Sequence, residues 1–548
     1  MDRSDGAPDA VVIGAGHNGL VAANILADAG WDVVVCEATA EPGGAVRSAQ
    51  VTAPGFVSDL FSAFYPLGAA SPVLQALELE RHGLTWSHAP AVLSHVLPDG
   101  RSATMYRDVA LTAESVSSFA AEDGIAWREL VAQWRQVEEP LLDALFRPFP
   151  PVVPAARLAR RIGLAGVARL ARAVMLPARR FGDEWFEGEG AALLVAGCAM
   201  HADIPVDGAG SGAFGWLLAM VGQQYGFPVP RGGAGKLTEA LTARLSSRGG
   251  TVRVHAPVHR VLIEHGRAAG VLLRSGETLR ARRAVLADVN APALYGELVG
   301  FDRLPRRLVE DLRNFEWDAP TLKVNWALSG PVPWQVAGAR DAGTVHLGVD
   351  MDGLTSFSAA LARREVPREP FVLFGQLTTA DPTRSPAGTE SAWGYTHLPL
   401  HGHLTEDDVA RQVDRVEAAV ERHAPGFTAS ILGRFVQSPV ELTEENPNLE
   451  HGSINGGTAQ LHQQLVFRPT VGLGGAATPV DGLFLAGSSG HPGGGVHGGP
   501  GANAARAALG REGWTGWLRR QATRTLMSRL YRDLDGSDEP VAAQEPAR

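Results

Sequence analysis

The chain opens on a four-residue apolar run, Ala10-Val11-Val12-Ile13, then a glycine turn, an alanine-rich stretch over residues 20–29 closed by Gly30, and a second apolar run, Val33-Val34-Val35-Cys36. Short apolar runs between turn signals predict strands buried on both faces, and the stretch between them predicts a helix, so the segment reads as a βαβ unit. From about residue 60 to 225 the pattern becomes mainly helical with loops, broken by Pro148-Phe149-Pro150-Pro151. A helix is predicted over 236–247, and short runs at 251–254, 258–264, 268–273, 278–281 and 284–286 follow it, separated by Gly or polar turns. They predict a β-meander after a crossover helix. A mixed region from about 300 to 465 carries strands at 321–328 and 371–377 and a helix at 406–423. The run Gly482-Leu483-Phe484-Leu485-Ala486-Gly487 predicts a last buried strand, feeding a glycine-rich loop and an alanine-rich helix over 501–509. The polar tail, 533–548, is predicted to be disordered.

Composition limits what this frame can do. A chain of 548 residues, 45% hydrophobic and 20% charged, can bury large cores and is not of disordered type. Its 59 acids exceed its 49 bases, which argues against a nucleic acid partner held by a general surface field. Two cysteines, Cys36 and Cys198, exclude a disulfide framework, a four-thiolate zinc site and a Cys-x-x-Cys redox pair, so redox chemistry has to reside on a bound cofactor. No metal site is expected. The acidic N-terminus lacks the marks of a signal or transit peptide, and a long uncharged stretch, 208–230, is interrupted by glycines, prolines and glutamines. A cytoplasmic location is expected.

Gly14-Ala15-Gly16-His17-Asn18-Gly19 fits Gly-x-Gly-x-x-Gly between a buried strand and a helix start. Such glycines let backbone approach a pyrophosphate, and the helix N-terminus offers free amides and partial positive charge. Glu37 closes the second strand, where an acid can accept hydrogen bonds from a ribose diol. The motif alone leaves FAD and NAD open.

Two further segments separate them. Glu41-Pro42-Gly43-Gly44-Ala45-Val46-Arg47-Ser48 resembles the second glycine pair of the FAD-dependent amine oxidase and phytoene desaturase superfamily. Gly482 to Gly487, continued by Ser488-Ser489-Gly490-His491-Pro492-Gly493-Gly494-Gly495-Val496, resembles its flavin-closing segment. The His17-Asn18 pair, Gly-Gly-Ala for the commoner Gly-Gly-Arg, and the His-Pro-Gly-Gly-Gly-Val string are most similar to the phytoene desaturase and carotene ketolase-like branch, which takes in the pyridine nucleotide-disulphide oxidoreductase domain-containing type. The resemblance runs from residue 9 to about 510.

It implies FAD as cofactor and an α/β architecture: a glutathione-reductase-like, Rossmann-type FAD-binding domain with an interleaved α+β substrate domain. The FAD-binding part would comprise 9–60, 229–300 and 470–512, and the substrate part 61–228 and 301–469. At the nucleotide end the implied FAD-binding positions are Gly14, Ala15, Gly16, His17, Asn18, Gly19, Glu37 and Ala38. Further implied FAD-binding positions are Gly43, Gly44, Ala45, Val258, Gly487, Ser488, Gly495 and Val496. The implied activity is oxidation of a largely apolar, isoprenoid or carotenoid substrate, with oxygen or a quinone as electron acceptor. Rival readings are a carotenoid ketolase, a flavin amine oxidase and a non-catalytic regulatory flavoprotein. Two positions depart from the wider pattern. Ser488 stands where many relatives have an acid, and Ala45 replaces an arginine, which leaves open whether Arg47 compensates.

Catalytic candidates are His491 and His497, beside the closing loop, where an imidazole can move protons near neutral pH. Lys323 is a third, because a strand lysine holds a water at the flavin N5 in flavin amine oxidases. It shares a strand face with Asn325 and Ala327. Trp393, Tyr395 and His397 alternate on a further strand, as cavity or core residues. Residues 147–180 hold eight arginines among apolar residues, with no acid between Asp143 and Asp183. That stretch and 514–532 are candidate peripheral membrane contacts.

Overall fold

A computed structural model describes residues 6–400 and 404–531, so the tail at 533–548 and the end of the 514–532 stretch lie outside the described residues. The first strand, Ala10–Ile13, is the centre of a five-stranded parallel sheet. Val33–Cys36 and Thr251–Arg253 extend the sheet on one side, and Ala284–Ala287 and Leu483–Leu485 on the other. Parallel neighbours need long crossovers, which is why five strands gathered from both ends of the chain meet in one sheet. The strand alternates between two cores. Ala10 and Val12 pack with the helices His17–Asp28, Gly235–Ser247 and Gly499–Leu509, whereas Val11 and Ile13 pack under an antiparallel three-stranded sheet.

That smaller sheet corrects the expectation of one meander over 251–286. Only its three middle runs, Val258–Glu264, Arg267–Leu273 and Thr278–Arg280, form the meander, while the runs before and after it enter the parallel sheet. Burial explains the run after the meander, since Ala284–Ala287 is enclosed at every position whereas the meander strands keep exposed positions; Thr251–Arg253, partly exposed, joins as an edge strand.

The second sheet has seven strands in the order Ile431–Gln437, Thr321–Leu328, Glu390–His397, Val372–Gln376, Ala342–Leu347, Ala91–Val96, Ser102–Met105. Its last two strands come from the stretch expected to be mainly helical, a second correction. Ala91–Val96 is buried at all six positions and turns back through Pro98-Asp99-Gly100, a sequence suited to a tight turn. The sheet thus draws strands from both sides of the 229–300 segment. The helix Glu406–His423 covers one of its faces, where Trp326 Nε1 donates to Glu417 at 2.9 Å and its ring meets Phe427 edge-on. The helix Glu189–Met200 covers the other, through Leu193, Ala196 and Ala199. Among the described residues no helix is long and apolar enough to cross a membrane.

Candidate flavin site and substrate cavity

Gly14 takes a φ of +88° as the chain leaves the first strand, and its amide donates to the Cys36 carbonyl at 2.8 Å. The Gly43 amide donates to the Ala15 carbonyl at 2.8 Å, and a side-chain carbon on Gly44 would stand 3.2 Å from the Gly16 Cα. The two glycine pairs therefore lie against each other, and neither tolerates a side chain. Glu37 ends the second strand and is buried; one carboxyl oxygen accepts the Ala15 amide at 2.9 Å and the other accepts the amide and hydroxyl of Thr39, each at 2.9 Å. Ala38 is exposed just beyond it. Inside the first turn of His17–Asp28, Nε2 of His17 and Oδ1 of Asn18 are sealed off without a partner in the protein.

From this turn a cavity of about 340 Å³ runs past Gly44 and Ala45 to Lys323 and to the closing loop at Ser488 and Gly494–His497. Its far wall carries Phe61, Phe64, Phe214, Leu217, Phe227 and Trp393. Of the expected positions, Gly16, His17, Asn18, Gly44, Ala45, Ser488, Gly495 and Val496 line it directly. Gly487 supports it from behind, its amide within hydrogen-bonding distance of the Ala287 carbonyl at 3.2 Å. Val258 is not brought to this wall. It starts the meander and packs on the second core, two residues after Ala256, whose amide donates to the Glu37 carbonyl. The Arg47 guanidinium donates to the carbonyls of Gly44 and Glu445 and lies over the Phe61 ring.

The three catalytic candidates separate sharply. Lys323 is buried on the cavity wall, its ammonium donating to the carbonyls of Asp59 and Phe61, and burial pulls its pKa down to about 7. His497 also lines the cavity, but its Nδ1 accepts the Gly499 amide at 3.0 Å and its Nε2 lies 3.1 Å from the Gly494 carbonyl. Those bonds require a neutral ring with the proton on Nε2, and burial holds its pKa near 3, so His497 locks the loop. His491 sits behind the loop, its ring against Phe149, and burial lowers its pKa to about 4. Trp393 and Tyr395 both line the cavity, whereas His397 is buried beneath them and pairs with Asp203.

The family described as flavin containing amine oxidoreductase matches residues 19–509. This chain belongs to that family. Among its relatives, pyridine nucleotide-disulfide oxidoreductase domain-containing protein 2 of Rattus norvegicus is 30% identical over 91% of this chain and 92% of its own length. A limonene dehydrogenase chain of Castellaniella defragrans is 26% identical, covering 93% and 96%. The neurosporene-forming phytoene desaturase of Rhodobacter capsulatus is 24% identical, covering 90% and 92%.

As a flavin containing amine oxidoreductase the protein is an FAD-dependent oxidoreductase, and the residues present fit that cofactor. The touching glycine pairs keep side-chain carbons out of the turn, and the unpartnered Nε2 of His17 can donate beside it to a bound anion. Gly14 to Asn18, Glu37, Gly44, Ala45 and the 494–496 loop would hold it. The flavin itself supplies hydride acceptance when bound.

Several groups of this flavoprotein site carry no motif in the sequence. His201, just past Glu189–Met200, lines the cavity, and its Nε2 lies 2.8 Å from that of His346 on the strand Ala342–Leu347. Burial keeps His201 neutral, with a pKa near 3. Asp318 accepts the amides of Ile454, Asn455 and Gly457, holding a loop whose Ile454 and Asn455 face the cavity. Arg468 is buried behind the closing segment and spends its guanidinium on backbone carbonyls, among them Thr458 and Ser488. Burial lowers its pKa to about 10. Asp288 stands against the glycine turn itself. The only local signal for these groups was polar residues inside or beside apolar runs.

Proposed function

We propose that this FAD-dependent oxidoreductase dehydrogenates a largely apolar substrate of isoprenoid or carotenoid type and passes the electrons to oxygen or a quinone. The observation that carries this reading is the cavity wall. Phe61, Phe64, Phe214, Leu217 and Phe227 offer hydrocarbon contact, while Trp393 and Tyr395 are stacked on each other, ring planes 7° apart and centroids at 5.7 Å. Two rings spent on each other leave no slot between their faces for a neutral amine, which places amine oxidation second. Relatives named for limonene dehydrogenation and phytoene desaturation support the same chemistry.

The protein's share of the work is orientation, exclusion of water and handling of one proton. Apolar walls exclude water and align the substrate chain. The helix Gly499–Leu509 begins directly after the cavity-lining His497, and its N-terminal amides favour negative charge in the closing loop. A substrate proton can be held at Lys323 Nζ, whose pKa burial pulls down to about 7. A lipid-borne substrate would also suit contact with an anionic membrane through the helical segment Val152–Met175, which is broken by a kink at Gly163 and exposed along nearly its whole length.

The test is anaerobic titration of the purified flavoprotein with phytoene or a carotene, followed by absorbance and product mass. Bleaching with a product two hydrogens lighter is the expected result. A product that gains oxygen once air is admitted would favour the ketolase reading, and bleaching by a primary amine alone the amine oxidase. No bleaching with any candidate, together with a stable protein partner, would make it a non-catalytic flavoprotein.

A further inference from the structure

All three glycines of the Gly14–Gly19 turn face one residue, Asp288, which follows the strand Ala284–Ala287. A side-chain carbon at Gly14 would meet its carbonyl oxygen at 2.7 Å, one at Gly16 would meet its Oδ2 at 2.5 Å, and one at Gly19 would meet the same Oδ2 at 3.1 Å. That Oδ2 accepts the Gly19 amide at 2.8 Å, and the side chain borders the cavity although the residue is only 7% exposed. Its backbone is anchored on both sides: the Asp288 amide donates to Ile13 at 2.7 Å, and Asn448 Nδ2 donates to the Asp288 carbonyl at 3.1 Å. The carboxyl group has little freedom to withdraw.

The first turn of a helix that starts at such a fingerprint is where a dinucleotide pyrophosphate sits, and the second glycine is what lets it approach. Here a carboxyl group already lies against that second glycine. An ionised carboxylate and a pyrophosphate would be two anions side by side in a site walled off from water, where like charges repel strongly. A neutral carboxylic acid can instead keep the Gly19 amide on one oxygen and donate from the other.

We propose that Asp288 is a cofactor-positioning acid, protonated when FAD is bound and donating that proton to the pyrophosphate, so that FAD binding takes up one proton. Its neighbours favour the neutral form. Glu37, at the end of the second strand, adds negative charge; His17, from the helix, is held neutral by burial down to about pH 4; Asn448, from the 446–448 loop, is an uncharged amide; Arg47 is turned onto backbone carbonyls; and burial pushes the Cys36 thiol up to about 11. Burial raises the Asp288 carboxyl to about 7 against the pull of the Gly19 amide, with Glu37 adding to the rise. The coupling therefore appears above neutral pH, where free protein has lost the proton that the complex keeps.

The experiment measures the FAD dissociation constant of the full-length apoprotein by flavin fluorescence at pH 6, 7, 8 and 9, with proton uptake at pH 8 followed by an indicator dye. Wild type should bind with constant affinity up to about pH 7 and then lose up to tenfold per unit, taking up close to one proton at pH 8. Asp288→Asn keeps the shape and a donor at every pH, so its affinity should not vary and should exceed wild type at pH 9 by tenfold or more. Asp288→Ser should likewise lose the pH dependence. A flat wild-type profile, or the same slope in the Asn variant, would overturn the assignment.

Discussion

The ammonium of Lys323 stands 5.5 Å from the centroid of the Trp393 ring, so a cation and an aromatic face share the wall of the cavity. Replacing Lys323 by Met strands the two carbonyls it serves, and a loss of about 1–3 kcal/mol in stability is expected. The sign of the pH effect follows from burial. The folded lysine loses its proton near pH 7 and the unfolded one near 10.5, so wild-type stability should rise across that window by up to about 1.4 kcal/mol per unit. Urea midpoints of wild type and Lys323→Met at pH 7.5 and 9.5 check this, since the variant should lack the rise.

Glu37 ties the glycine turn to the strand beside it through the Ala15 amide. Glu37→Ala should weaken FAD binding by about 1–3 kcal/mol, read as the flavin dissociation constant at pH 7. Unchanged affinity would remove Glu37 from the ribose site.

Asp318 gathers three amides with one carboxylate, and an amide side chain would turn donors toward donors. Asp318→Asn should cost about 1–3 kcal/mol and loosen the 454–457 loop. Because Ile454 and Asn455 line the cavity, the Michaelis constant for substrate should rise while the flavin dissociation constant stays within about twofold.

The helix Val152–Met175 buries only Pro154 and leaves Leu164 88% and Val153 57% exposed. Several of its arginines meet acids, as Arg157 and Arg161 meet Glu139 and Arg172 meets Glu184, so the apolar positions are the sharper probe. Leu164→Glu with Val153→Glu should reduce co-sedimentation with phosphatidylserine vesicles, and added salt should weaken wild-type binding through the remaining arginines, each worth about 1 kcal/mol near an anionic surface.

What was legible in the residues alone was local. The strand Ala10–Ile13, the turn after it, Val33–Cys36 and the helix Glu406–His423 follow from apolar runs and periodicity acting over a few residues, and the glycines mark their own close approaches. Glycine strings at both ends of the chain likewise carried the family and its cofactor.

Tertiary structure decided everything that depends on which distant segments become neighbours. Whether Ala284–Ala287 joins a meander or a parallel sheet is set by burial on both faces, and the same holds for Ala91–Val96. His497 and Lys323 looked alike as candidates, yet folding ties both to backbone and, through burial, holds the histidine neutral while bringing the lysine's pKa to about 7 in the cavity wall. Asp288 lies 269 residues from Gly19, and nothing in its own neighbourhood of the sequence marks it. Its chemistry exists only because parallel pairing brings the end of its strand beside the glycine turn, in a place where water cannot screen its charge.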